Sequence, residues 1–196
     1  MIYNFDISGP LLNQCDVFQT IDFACDGSKR PAVLLTPECD LANQEGRNKP
    51  KAKYLLFVGI DTFDEILYNI MSQLKITKNQ RKGEETLDEI TYNDFHTTLK
   101  RFFNGGIFPR YFYLPPIPSF IQHSVIDFQI TETRKVTTEL INQLKKNRIA
   151  RIRSSWKEAI PVRFSTYTSR IGVEDLSDDY IDEIFKNYKL DFSITK

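Results

Sequence analysis

Two prolines bracket the apolar run RPAVLLTP, residues 30–37, and they do more than any other feature to fix what its surroundings can become. Pro31 lacks a backbone donor and is tolerated at the first position of a strand, where no ladder bond is required of it. Pro37 drives Thr36 away from helical backbone and ends the element. PAVLLT therefore reads as one short apolar strand. The segment DVFQTIDF, residues 16–23, alternates as a strand does, and the Asp26-Gly27 pair between the two favours chain reversal.

The same reasoning places further strands. KYLLFVGI, 53–60, follows a polar connection over 40–52 and reads as a second buried strand able to pair with the first. IFPRYFYL, 107–114, stops at Pro115-Pro116, and HSVIDFQI, 123–130, sets Val125, Asp127 and Gln129 against Ile126, Phe128 and Ile130. Between these sheet-rich portions the period changes. DTFDEILYNIMSQLKI carries Phe63, Ile66, Leu67, Ile70 and Leu74 at helical spacing behind Asp61 or Thr62 as cap. LDEITYNDFHTTLKRFF repeats the pattern through Ile90, Phe95, Leu99 and Phe103, up to Gly105-Gly106. KNQRKGEET joins the two, so 61–104 has the character of a helical insertion. Beyond it TTELINQLKK suits a short helix. Pro161 starts a new turn or a kink within SSWKEAIPVRFSTYT, and LSDDYIDEIFKNYKL reads as a last helix capped by Ser177.

With 196 residues, 41% hydrophobic and 27% charged, including 15 Phe and 9 Tyr, the chain describes a globular protein with an aromatic core. A domain of this size buries about 70% of its unfolded surface, so no staple is needed. Its start has no basic leader, and no apolar run approaches the ~18 residues of a membrane span, so a cytoplasmic, non-membrane protein is expected. Cys15, Cys25 and Cys39 include no CxxC and leave an odd thiol, which suits free thiols in a reducing compartment. The imidazoles are His96, expected to be structural on its apolar-patterned helix, and His123. Structural zinc would need all three cysteines and one distant imidazole, and neither metal nor cofactor is expected.

The net charge is zero, but it is segregated. Residues 1–26 hold Asp6, Asp16, Asp22 and Asp26 and no base. Residues 134–170 are rich in Lys and Arg, and the tail from 171 turns acidic. Within the basic run, RIARIRSSWK combines Arg151 and Arg153 with Trp156, a set able to hold a nucleic-acid backbone and stack a base; Lys29 is a further cation of this kind. Ile149 and Ile152 in the same run argue instead for one buried side and a solvated or acid-paired arginine face.

Arg30 stands where a loop meets the apolar strand, and its guanidinium offers five donors to a phosphate. A solvated turn is the alternative. Cys39 and Asp40 follow the strand. Asp40 neither lowers a thiol pKa nor acts as a strong base at neutral pH, so a thiol beside a turn-capping carboxylate competes with a nucleophile served by a histidine elsewhere. Asp40 and Asp61 together could hold a divalent cation if their strand ends are adjacent.

The stretch DVFQTIDFACDGSKRPAVLLTPECDLAN resembles the opening of the MazF/PemK-like toxin family, in which a strand, a Gly-bearing loop and Arg-Pro lead into an apolar strand. KYLLFVGI is similar to that family's next strand, and HSVIDFQITET more weakly to a later one. The resemblance covers residues 16–60 best and 107–140 less well. It implies an α+β fold, an SH3-like small barrel formed by 1–60 and 105–150, with the helical insertion 61–104 and a C-terminal helical extension 151–196. It also implies that Arg30 takes the catalytic-arginine place in metal-independent cleavage of single-stranded RNA by 2′-hydroxyl attack, and that a homodimer or an antitoxin-like protein is a partner. The family's P-x-T setting is replaced by Gly59-Ile60-Asp61-Thr62, so Thr62 or Asp61 would complete the site, and an Asp61 carboxylate repels a phosphate. The preferred expectation is a noncatalytic protein-interaction or regulatory module on this shell. The endoribonuclease is the alternative, and a hydrolase using Cys39 or Asp40 is a third.

Overall fold

The structure, a computed structural model, describes residues 2–7, 9, 11–42, 50–76 and 89–169. DVFQTIDF forms strand β2, Asp16–Phe23, and the reversal at Asp26-Gly27, with Gly27 at φ 69°, leads into β3, Ser28–Leu34. A positive φ costs glycine little, which is why this turn takes it. β3 starts at Ser28 rather than Pro31 because Ser28, Lys29 and Arg30 pair with Phe23, Asp22 and Ile21 across the hairpin. Arg30 thus lies inside a strand and not at the end of a loop.

β4, Tyr54–Thr62, pairs with β3 and with the long β6, Ser124–Lys135, to which the short β5, Tyr111–Leu114, adds. On the other side β7, Arg148–Ile152, joins β2 to the two-residue β1, Tyr3–Asn4. The result is a seven-stranded sheet in the order β1-β7-β2-β3-β4-β6-β5, antiparallel at every pairing. Irregular registers in β2 between Phe18 and Ile21, and in β4 between Val58 and Gly59, bend it. The sheet curls but stays open: Tyr3 on one edge strand donates its hydroxyl to the carbonyl of Pro115, just past the other, at 2.7 Å.

Alternation along the strands sorts the core onto two faces. Val17, Val33 and Val58 point into a cluster with Phe128, Ile126 and helix α5, Trp156–Thr168, through Ile160. Tyr3 and Leu114 come to this cluster from opposite edges, so it fills the inside of the curl. Phe18, Leu34 and Phe57 point the other way, against Ile141 and Leu144 of helix α4, Thr138–Asn147, and Leu41 of the short helix α1, Glu38–Leu41. The Phe18 and Phe57 rings meet edge to face at 5.8 Å. A third cluster joins helix α2, Phe63–Gln73, and helix α3, Glu89–Phe103, to Val125, Tyr111 and Tyr113.

Several elements depart from what the sequence alone suggests. β4 runs on to Thr62, so the helical insertion starts from within the sheet. The strand expected over 107–114 begins only at Tyr111, whose N–H closes a turn on Phe108. β7 comes from the basic run, and its Arg151 and Ile152 place the first residues of the expected C-terminal extension in the sheet. Pro161 lies inside α5 without ending it. His96 is exposed and stacks on Tyr92 rather than entering the core. KNQRKGEET, the Arg170-Ile171-Gly172 segment and LSDDYIDEIFKNYKL lie outside the described residues. No helix among those described is long and apolar enough to cross a membrane.

Candidate functional site

Arg30 is held by the hairpin it belongs to and by the next strand. Its Nε donates to Ser28 Oγ at 2.8 Å, Nη2 to Asp26 Oδ2 at 2.7 Å and Nη1 to Asp61 Oδ2 at 3.2 Å. The guanidinium carbon lies 6.0 Å from the Phe23 ring centre. Only 20% of the side chain is exposed. Gly59 makes this possible: a Cβ there would sit 3.1 Å from Arg30 Cδ and 2.7 Å from Ile130 Cγ2, so the strand must be bare where the arginine stem crosses it.

The clamp has its own electrostatics. Asp26 Oδ1 accepts the Ser28 N–H at 2.9 Å. Hydrogen bonds from Ser28, with the Arg30 charge adding to them, hold the Asp26 carboxyl below its ordinary range. Asp61 uses its other oxygen to accept the Thr62 N–H at 2.8 Å. The two carboxylates therefore flank one cation, and the local charge is negative once all three are ionised. Such a cluster resists an approaching phosphate.

The other residues singled out from sequence fall in different surroundings. Thr62 is exposed, precedes α2 as its N-cap and makes no side-chain capping bond; Asp61, not Thr62, meets Arg30. Lys29 pairs with Asp22 at 3.2 Å on the outside of the hairpin. Arg151 and Arg153 line a shallow recess of about 490 Å³ together with Asn4, Asn13 and Lys157. Within it Arg151 is bound to Asp16 at 2.7 Å and Lys157 to Glu38. Trp156 looks elsewhere, edge to face on Phe112 at 5.6 Å. Of the four nucleic-acid candidates, Arg151 and Arg153 share this recess, which neither Lys29 nor Trp156 lines. Cys39 is exposed in α1 and Asp40 half-buried beside it, with the Asp40 backbone tied to Pro37 and Ala52. His123 shares a hydrogen bond with Tyr113 at 2.6 Å, so neither histidine is engaged with Cys39. No group of three or more metal-ligating side chains occurs among the described residues, and Asp61 is engaged with Arg30 and Thr62 rather than with Asp40.

Two arrangements were not anticipated. Asp16, fully buried, bridges Arg148 at 2.9 Å and Arg151 at 2.7 Å and accepts the Asn13 N–H. Arg148 in turn donates to the carbonyls of Ile7, Gly9 and Leu11, fastening the N-terminal segment to β7. The opposite signs of the two segments were visible in sequence, but their pairing was not. The second is a recess of about 410 Å³ between α3, β5 and α5, walled by Phe102, Phe103, Tyr113, Trp156 and Val162. Its residues come from three elements far apart in the chain, and no local pattern marks it.

The class these observations define is an α+β protein with a curled, open antiparallel sheet, in which Arg30 of β3 is fixed between two carboxylates. No protein-family model matches the chain, and no curated protein does.

Proposed function

We propose that the chain is a noncatalytic protein-interaction or regulatory module, built on an SH3-like shell of the kind its resemblance to MazF/PemK-like toxins implies. The observation that carries this reading is the state of Arg30. Three of its five N–H donors are taken, two of them by carboxylates whose charges more than offset its own, so a pentacoordinate phosphate would meet a cation already neutralised by Asp26 and Asp61. The cation serves instead to tie the β2–β3 hairpin to β4.

The test is incubation of the full-length protein with diverse single-stranded RNAs in EDTA, alongside Arg30→Ala. The module cleaves none of them. Arg30→Ala lowers unfolding free energy by about 1–2 kcal/mol, the scale of partly exposed hydrogen bonds to charged groups. Cleavage by the native protein that disappears in Arg30→Ala overturns the reading in favour of the endoribonuclease.

A further inference from the structure

Resting on the reading of the chain as an interaction module, we propose that the recess between β1, β7 and the head of α5 holds the phosphoryl group of a phosphorylated segment of a partner protein. Asn4, Asn13, Arg151, Arg153, Ser154 and Lys157 line its roughly 490 Å³, and no carboxylate does among the described residues. The charge beneath it is not balanced. Asp16 serves Arg148 and Arg151 together and Glu38 serves Lys157, so three cations there meet two carboxylates. Arg153 is a fourth cation: it is exposed, and its guanidinium has no partner among the described residues. The group therefore carries two positive charges more than its carboxylates offset. Glu158 is turned onto the Ser155 N–H, and neither it nor Asp6 lines the recess.

The donors divide so as to leave room for an oxyanion. Arg151 is largely spent: its Nε goes to Asp16 Oδ1 at 2.7 Å, and the Asn13 amide oxygen, turned toward it, accepts from Nη1 at 3.2 Å. It supplies charge in a fixed place. Lys157 gives one of its three N–H donors to Glu38 and keeps two, while the five of Arg153 are unused among the described residues. The Arg153 N–H donates to the Ile2 carbonyl and its own carbonyl accepts the Lys157 N–H, each at 2.9 Å, which ties the two backbones at the rim. Asn4 accepts the Asp6 N–H at 3.0 Å through Oδ1, so its amide N–H groups remain as donors. A phosphoryl group carries about −1.5 to −2 at pH 7, close to the surplus, whereas one Asp or Glu carries about half of it. A nucleic-acid track needs further cations and a stacking face. Trp156 packs on Phe112 at 5.6 Å and Lys29 pairs with Asp22 on the β2–β3 hairpin, so the recess has neither.

The probe is a degenerate peptide library with a fixed central phosphoserine, phosphothreonine or phosphotyrosine, selected on the full-length protein, the enriched peptide then being titrated by fluorescence anisotropy. Removing its phosphate weakens binding by about tenfold or more, and Asp in that place does not restore it. Arg153→Ala weakens the phosphopeptide by about tenfold with an unaltered thermal midpoint, because that side chain holds nothing else, whereas Lys29→Ala leaves the affinity unchanged. Failure to enrich a phosphopeptide, equal binding of the unphosphorylated or Asp form, or indifference to Arg153→Ala overturns the proposal. So does inorganic phosphate that binds as tightly as the phosphopeptide, which assigns the recess to the free anion. Single-stranded RNA that binds more tightly with the same dependence on Arg153 overturns it too, in favour of nucleic acid. The cleavage assay reads Arg30 separately, so failure at this recess leaves the module reading standing.

Discussion

Gly59 shows how one residue can carry a site without touching its chemistry. The arginine stem and Ile130 occupy the space a side chain would need. Gly59→Ala therefore destabilises by about 1–3 kcal/mol, the cost of overpacking, and loosens Arg30 from Asp61. Equilibrium denaturation reads the first effect; an unchanged midpoint would mean that β4 and Ile130 yield easily. The cysteines divide at the same scale. Cys25 and Cys39 are exposed, whereas Cys15 is buried and its thiol is pushed up from 9.0 to about 12, chiefly by desolvation. A thiol reagent applied to the native protein near neutral pH modifies two thiols rapidly, and the third only on unfolding. Three fast thiols would place Cys15 at the surface.

At the level of elements, β7 is the strand that most depends on a distant partner. RIARI puts Ala150 and Ile152 in the core, but its place between β1 and β2 also comes with Asp16 holding Arg148 and Arg151. Removing one member of a buried ion pair costs about 3–5 kcal/mol because the other charge stays desolvated. Asp16→Ala should lose about that much, measured by denaturant titration, and should speed amide exchange in β1 and the segment before β2. A loss within the noise of a surface substitution would show that the pair is solvated. This is also why β7 could not be read from sequence: its buried face, Arg148, Ala150 and Ile152, includes an arginine whose counter-charge lies more than a hundred positions away. DVFQTIDF was legible because its alternation is written in apolar residues, and α2 because Phe63, Ile66 and Ile70 recur at helical spacing.

For the whole molecule, the inside of the curl sets a pH limit. Cys15 and Tyr3 both lie in this cluster, and burial raises both of their pKa values. A group whose folded pKa is raised leaves the unfolded chain free to ionise first, so stability is intact below the unfolded value and falls as pH climbs through the window. For Cys15 that window runs from 9.0 to about 12. Unfolding free energy should fall across it, and Cys15→Ala should flatten part of the fall; a pH-independent midpoint would contradict the burial of both groups.

What the sequence by itself determined was local: where the prolines and Asp-Gly break the chain, which segments alternate, where Phe63 to Leu74 turn helical, and that Arg30 adjoins a strand rich in apolar residues. These follow from backbone sterics and from the spacing of side chains along one element. Only the tertiary structure decided that Asp26 and Asp61 would close on Arg30, that Asp16 would bind β7, and that Asn4 and Asn13 would line one recess with Arg153 and Lys157. Each depends on which strands become neighbours, and that choice is made by burying faces contributed from the whole chain at once.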